Sequence, residues 1–226
     1  MAYQWDFTPV FANADLLAQG LVNTLKVTGT ALACGLALGL VLALLRLSRL
    51  RLAAWPAGLI IEVFRTTPPL VQLFWFFFAL PLIAGIEMTP FLAAAVTFSI
   101  QSSAFFAEVF RAGIVSIERG QWEGARAIGM THGQALRRIV LPQAVKRMIP
   151  AFMERAIELM KTTTLVATIS YADLLFAANE IAQKTFRPLE TLTVAALIYF
   201  VVITAFSLFA RRLERRLAVS GESTVH

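Results

Sequence analysis

Residues 191–210 read TLTVAALIYFVVITAFSLFA, twenty positions without an Asp, Glu, Lys or Arg. As a helix this run spans about 30 Å, the thickness of the hydrocarbon core of a bilayer. A helix that is apolar all round must be buried on every side, in a large core or in lipid. The runs 27–45, 66–86 and 88–107 are also free of charge over a comparable length. A fifth apolar stretch, about 148–171, carries Glu154, Arg155, Glu158 and Lys161. The pattern predicts an all-α integral membrane protein with five transmembrane helices, the fourth being the charged one.

Composition agrees. Of 226 residues, 58% are hydrophobic and 15% charged, against about 45–50% and about 25% in soluble domains. That length suits one membrane bundle and leaves little room for a second, catalytic domain. The single Cys34 excludes an internal disulfide and a thiolate metal cluster, and it reads as a small packing residue. His132 and His226 are the only histidines, too few for His-based zinc chemistry.

The basic residues set the orientation. Residues 1–19 contain Asp6 and Asp15 but no Lys or Arg, so they lack the basic region of a signal peptide. The turn at 82–89 has no basic residue either, and the segment 172–190 has Lys184 and Arg187. The opposite side holds Arg46, Arg49 and Arg51, seven basic residues over 111–147, and Arg211, Arg212, Arg215 and Arg216. The positive-inside rule therefore predicts an external N-terminus and a cytoplasmic C-terminus. It also explains the net charge of +6 without nucleic acid. The expected organisation is an external segment 1–19, a membrane domain 20–212 with a cytoplasmic loop at about 116–147, and a cytoplasmic tail 213–226. The tail arginines suit the anionic inner leaflet. Gly35 and Gly39, one turn apart, suit close helix packing within or between subunits.

The cytoplasmic loop has its own structure. Residues 122–128 read as a short helix, and Gly129 reads as its left-handed stop. Thr131-x-x-Gln134 has the form of a capping box for a second helix. That helix runs through Leu136, Arg137, Arg138, Ile139 and Val140 and meets Pro142. Trp122 and Ile128 are expected at its surface, where they either meet a protein partner or pack beneath the bundle.

Glu123-Gly124-Ala125, Gly129 and Ile139-x-Leu141-Pro142 resemble the EAA loop of permease subunits of ABC importers, with Gly124 where alanine is usual. Glu62-x-x-Arg65-x-x-Pro68 with Val71-Gln72-Leu73-Phe74 is similar to the second-span signature of the polar amino acid (histidine/glutamine/arginine-type) branch. So is Ala107-Glu108-x-Phe110-Arg111-x-Gly113-Ile114, together with Leu141-Pro142-Gln143-Ala144 and Lys161-Thr162-Thr163-Thr164-Leu165. The resemblance covers about residues 16–212. It implies that the loop's first helix, with Trp122, Glu123, Gly124, Ala125, Gly129, Leu141 and Pro142, couples the chain to a cytoplasmic ABC ATPase. It further implies a second permease subunit, the same or a related chain, an external substrate-binding protein and an amino acid substrate. ATP and Mg²⁺ would belong to the ATPase, leaving no cofactor in this chain, and the sequence contains no P-loop motif. The implied mechanism is alternating access, in which closure of the ATPases draws the coupling helices together.

Charge inside a span marks a functional site by default. Glu154, Glu158 and Lys161 fall on one helical stripe, which should face the bundle interior or a water-filled cavity. Two readings stand. Glu158–Lys161 or Glu154–Arg155 pair internally, or a free carboxylate with the Thr162–Thr164 hydroxyls meets a cationic or zwitterionic amino acid. The candidate substrate path is Gln72, Glu154, Glu158, Lys161 and Thr163. Glu62, Arg65 and Pro68, with the pair Glu108–Arg111, are structural or gating candidates, because Pro68-Pro69 must break the second span. Lys26 snorkels to the interface. An intramembrane enzyme finds no support, since no G-x-S-x-G motif occurs and neither histidine lies in a span. An ATP-independent secondary transporter or channel half is the alternative, and the motor-docking loop argues against it.

Overall fold

The computed structural model describes residues 3–48 and 50–217, with side chains described as far as Leu213. Arg49, the side chains of Arg215 and Arg216, and His226 lie outside the described residues. The described residues form helices joined by turns, with no strand among them.

Helix α1 (Thr8–Ala12) leads into α2 (Ala14–Arg46), which runs unbroken through residue 19. Its 33 residues extend about 50 Å, well beyond the charge-free run at its centre. Helix α3 (Arg51–Thr66) precedes the charge-free run 66–86 and was not among the predicted spans. Arg51, Glu62 and Arg65 hide it from a search for charge-free runs. It is amphipathic instead, burying Ala57 and Ile61 one turn apart.

After α3 the chain turns by 107°. Thr67 and Pro68 are extended, as the residue before a proline prefers. Helix α4 (Pro69–Phe74), a π-turn (Trp75–Ala79) and α5 (Leu80–Ala84) then form one rod. Helix α6 (Pro90–Val115) follows, then α7 (Arg119–Ala127), α8 (His132–Ala135), a second π-turn (Leu136–Val140) and α9 (Leu141–Thr162). Each π-turn ends two residues before a proline, Pro81 or Pro142. Widening the helix there relieves the clash of the proline ring with the preceding turn and absorbs its missing N–H. Pro142 therefore does not end the loop's second helix, contrary to expectation, and the rod continues as α9.

Helix α9 gives way to a 3₁₀ segment (Thr163–Ile169). Beyond it, α10 (Leu174–Thr185) occupies what the sequence suggested was an external connection. Asp173 caps it, accepting a 2.8 Å hydrogen bond from the Phe176 N–H. Helix α11 (Pro188–Leu217) closes the chain. Three helices, α2, α6 and Pro188–Leu213 of α11, are long and apolar enough to cross a membrane alone. Counting the bent pairs Arg51–Thr66 with Pro69–Ala84 and His132–Ile169 with Leu174–Thr185 as one span each brings the number to five.

The core is built on α2 against α6. A Cβ on Gly39 would lie 2.8 Å from the Phe106 Cβ and 2.9 Å from the Ser103 carbonyl oxygen. A Cβ on Gly35 would lie 2.7 Å from the Ser102 Cβ. The two glycines therefore serve packing inside the subunit, letting the helices approach in the manner of lipid-embedded small-residue interfaces. Cys34 turns away from this seam and is exposed, not packed.

Candidate functional site

Polar side chains gather at three places. At the end of the bundle where the N-terminal segment meets α10 and α11, Glu190 is fully buried. It accepts hydrogen bonds from the Tyr3 hydroxyl at 2.6 Å, the Asp6 N–H at 3.1 Å and Arg187 Nη1 at 3.2 Å. Arg187 also donates to the Gln4 carbonyl at 2.8 Å. The Glu190 carboxylate holds the Tyr3 proton and raises its pKa above that of a free phenol. Beside this clasp, buried Asp173 accepts from the Tyr199 hydroxyl at 3.3 Å. Thr24 Oγ1 accepts from the Leu174 N–H at 3.2 Å. Sequence reasoning missed Glu190 and Asp173. An acidic residue in the first turn of a helix is the ordinary pattern of an exposed end, and nothing local points to Tyr3.

The second place is a cleft between α6 and α9 beside the 107° bend. An inner part of about 200 Å³ is lined by Arg65, Gln101, Ser102, Phe105, Arg155 and Glu158. Through Arg65, Phe105 and Arg155 it continues into a wider part of about 440 Å³ that reaches Arg147. The guanidinium carbons of Arg65 and Arg155 lie 5.9 and 4.7 Å from the Phe105 ring centroid, within the range of cation–π attraction. Arg155 pairs with Glu158, whereas the sequence suggested Glu158–Lys161 or Glu154–Arg155. Glu108 receives Arg111 through three contacts, the shortest 2.8 Å, a bidentate fork of the strong type. Arg65 stands 4.0 Å from Glu62, at the edge of an ion pair.

The stripe read from the sequence divides. Glu154, Glu158 and Lys161 are all exposed in the single chain. Only Glu158 lines this cleft, while Glu154 and Lys161 border other clefts, on the α11 side. Thr163 is buried, and its hydroxyl donates to the Met160 carbonyl and contacts Thr28 Oγ1 at 3.2 Å. Gln72 is buried too. Its amide nitrogen ties the bend together, donating to the carbonyls of Phe64 at 3.0 Å and Thr67 at 2.9 Å.

The third place is the arginine-rich loop. Gly129 has φ +79°, the left-handed stop expected after α7. Thr131 and Gln134 form both bonds of the capping box. Glu123, Gly124 and Ile128 are exposed, as are Gly129, Leu141 and Pro142. Trp122 follows the packing alternative. It is half-buried, stacks on His132 with centroids 4.8 Å apart, and joins an apolar cluster with Ile117, Val140, Ala144 and Met148. Ala125 is buried too. One face of α7 thus fastens it under α9, and the face with Glu123 points outward.

Residues 35–219 match the family described as binding-protein-dependent transport system inner membrane component. The chain belongs to that family. As an inner membrane component it is 37% identical to the glutamate/aspartate import permease protein GltK of Escherichia coli O157:H7, over 96% of this chain and all of that protein. It is 35% identical to the arginine transport system permease protein ArtQ of Bacillus subtilis strain 168, over 94% of this chain and 97% of that one. Among solved structures, it superposes on a chain of an amino acid ABC transporter crystallised with histidines with a TM-score of 0.91. That alignment has 37% identity and covers 95% of this chain and all of the other. The relatives are permease subunits, and an ATP-independent transporter is not favoured.

Proposed function

We propose that this chain is the permease subunit of an ATP-driven amino acid importer and supplies half of its translocation path. The observation that carries this is α7, a short helix fastened on one face and free on the other. Trp122 packs α7 against Val140 of the second π-turn and Ala144 and Met148 of α9, so a push on Glu123, Gly124 or Ile128 passes into a rod that runs unbroken to Thr162. That is the mechanical link a motor-driven permease needs. Its partners are cytoplasmic ABC ATPase subunits, which hold the ATP and Mg²⁺, a second permease subunit, and an external substrate-binding protein. Five crossings with the N-terminus outside and the C-terminus in the cytoplasm put the arginine-rich loop beside the ATPase.

ATP binding brings the ATPases together and draws the two α7 helices with them, and α9 tilts against α6. The cleft between those helices then opens to the other side of the membrane. This chain performs no covalent step. The exposed charges of α9 and the exposed apolar face of α4 and the first π-turn, with Val71, Phe74 and Phe78, suit the second permease and the path between the two.

Co-purification tests the reading. The tagged wild-type chain, extracted from membranes in mild detergent, brings down an ABC ATPase, and Glu123→Arg does not. A folded wild-type chain that brings down no ATPase would overturn it.

A further inference from the structure

We propose that the turn between α10 and α11, with the N-terminal segment clasped to it, is a phospholipid anchor that seats Phe186, Trp5 and Tyr3 in the head-group layer of the external leaflet. The anchor goes beyond the permease reading and takes from it only which end of the bundle is external. Phe186 ends α10 with φ +55°, the left-handed position that glycine or asparagine usually fills. A bulky residue there is strained, and this one is 88% exposed. Neither backbone preference nor burial within the chain accounts for a phenylalanine at this position. The partner of its ring lies outside the chain.

Height, continuity and charge identify that partner as lipid. Glu190 is the charged residue immediately before the run 191–210, which marks hydrocarbon depth. The turn at 186–190 therefore stands in the head-group layer, about 5–7 Å deep. The apolar stretch of α11 is almost wholly exposed. Leu189 and Phe200 are both exposed on it, and eleven positions of helix set them about 20° apart. One apolar stripe thus runs from hydrocarbon depth up to the turn that carries Phe186. The clasp adds Tyr3 and Trp5, 49% and 57% exposed, with ring centroids 5.5 Å apart. Tyr and Trp collect at this boundary, because each has an apolar body and a polar tip. Lys184 and Arg187 are the basic residues of 172–190 that the positive-inside rule leaves unexplained, and they flank Phe186. Their carboxylate partners are Glu180 and Glu190, and the Arg187 guanidinium carbon lies 6.0 Å from the Tyr3 ring centroid. A zwitterionic phospholipid matches this set: its phosphate meets Lys184 and Arg187, and its ammonium meets Glu180. An external end held in the leaflet is a fixed pivot for the motion of α7 and α9.

Photo-crosslinking in native membranes tests the anchor with every partner present. The full chain carries p-benzoylphenylalanine in place of Phe186, Trp5, Phe200 or Ile128, one position per sample, and mass spectrometry identifies each adduct after irradiation. Phe200 reports capture at hydrocarbon depth and Ile128 reports the face of α7 left for the ATPase. Positions 186 and 5 should capture phospholipid at least tenfold more than any protein, as position 200 does. Because two positions are probed, position 5 keeps the test standing if the variant at 186 fails to fold. A protein adduct within tenfold of the lipid adduct at 5 or 186, whether to a binding protein or to a second copy of this chain, would overturn the proposal. So would the absence of adducts at both positions while position 200 captures lipid. Either result, with an ATPase adduct at 128, leaves the permease reading standing. Lipid capture at 5 and 186 without an ATPase adduct at 128 would support the anchor and overturn the permease reading instead.

Discussion

The two ends of the bundle treat polar groups in opposite ways. At the end closed by the N-terminal segment, Glu190 and Asp173 are buried and their oxygens are held by Tyr3, Asp6, Arg187, Phe176 and Tyr199. The glycine there is equally confined, since a Cβ on Gly20 would lie 2.8 Å from the Asp173 carbonyl oxygen and 2.9 Å from the Leu174 Cα. At the arginine-rich end, Glu123 is exposed, and a Cβ on Gly124 or Gly120 would meet nothing within 4 Å. A buried network fixes one geometry, because any unpaired member is costly. An exposed helix fastened on one face can be moved by a partner. One end is built to hold its shape and the other to be grasped.

The comparison can be broken most directly at Glu190. Glu190→Ala leaves the Tyr3 hydroxyl, the Asp6 N–H and one Arg187 contact unpaired. It should lower Tm further than any substitution at the arginine-rich end, with new protease cleavage before α1. An unchanged melting curve would mean the clasp does not hold that end. Next is Gly20→Val, where the obstacle is backbone rather than a mobile side chain. Overpacking of this kind costs about 1–3 kcal/mol, to be read from thermal unfolding in detergent. Thr131→Ala should cost about 1 kcal/mol, felt only as faster hydrogen exchange in the loop, because the capping box supports a local turn. The smallest effect has the opposite sign. Gly124→Ala sits in open space inside a helix and should stabilise α7 by about 0.5–1 kcal/mol, with ATPase co-purification retained. Destabilisation there would mean that α7 is more confined than its surroundings show.

How much was legible follows the same division. The spans rest on long runs of apolar residues, and a run is a property of neighbours in sequence. The loop's Gly129 stop and Thr131–Gln134 box are also local, and the structure has both. The Glu108–Arg111 pair was legible because it joins residues one turn apart on one helix. Helix α3 was missed because its apolar face is only a stripe, and α10 because its length falls short of a span. The signal for α10 was present in Asp173 followed by Leu174-Leu175-Phe176-Ala177, a cap before an apolar turn. The stripe of Glu154, Glu158 and Lys161 was correctly placed on a helix, but its surroundings were not readable, because periodicity gives the angle between side chains and not the helix they face.

The sequence by itself therefore determined the all-helical membrane class, the proline break at residues 68–69 and the local architecture of the loop. Each follows from short-range chemistry: hydrophobicity over one span, the missing proline N–H, and the backbone reach of Thr and Gly. Only the tertiary structure decided the surroundings of Arg155 and the partners of Glu190. Arg155 pairs with Glu158 one turn along its own helix, and its guanidinium lies over Phe105 of α6, a contact that periodicity does not show. Glu190 is joined to Tyr3 across 187 positions of chain, and no local rule connects them. The position of a charge in sequence costs nothing to read. The free energy of burying it depends on partners that only folding brings together.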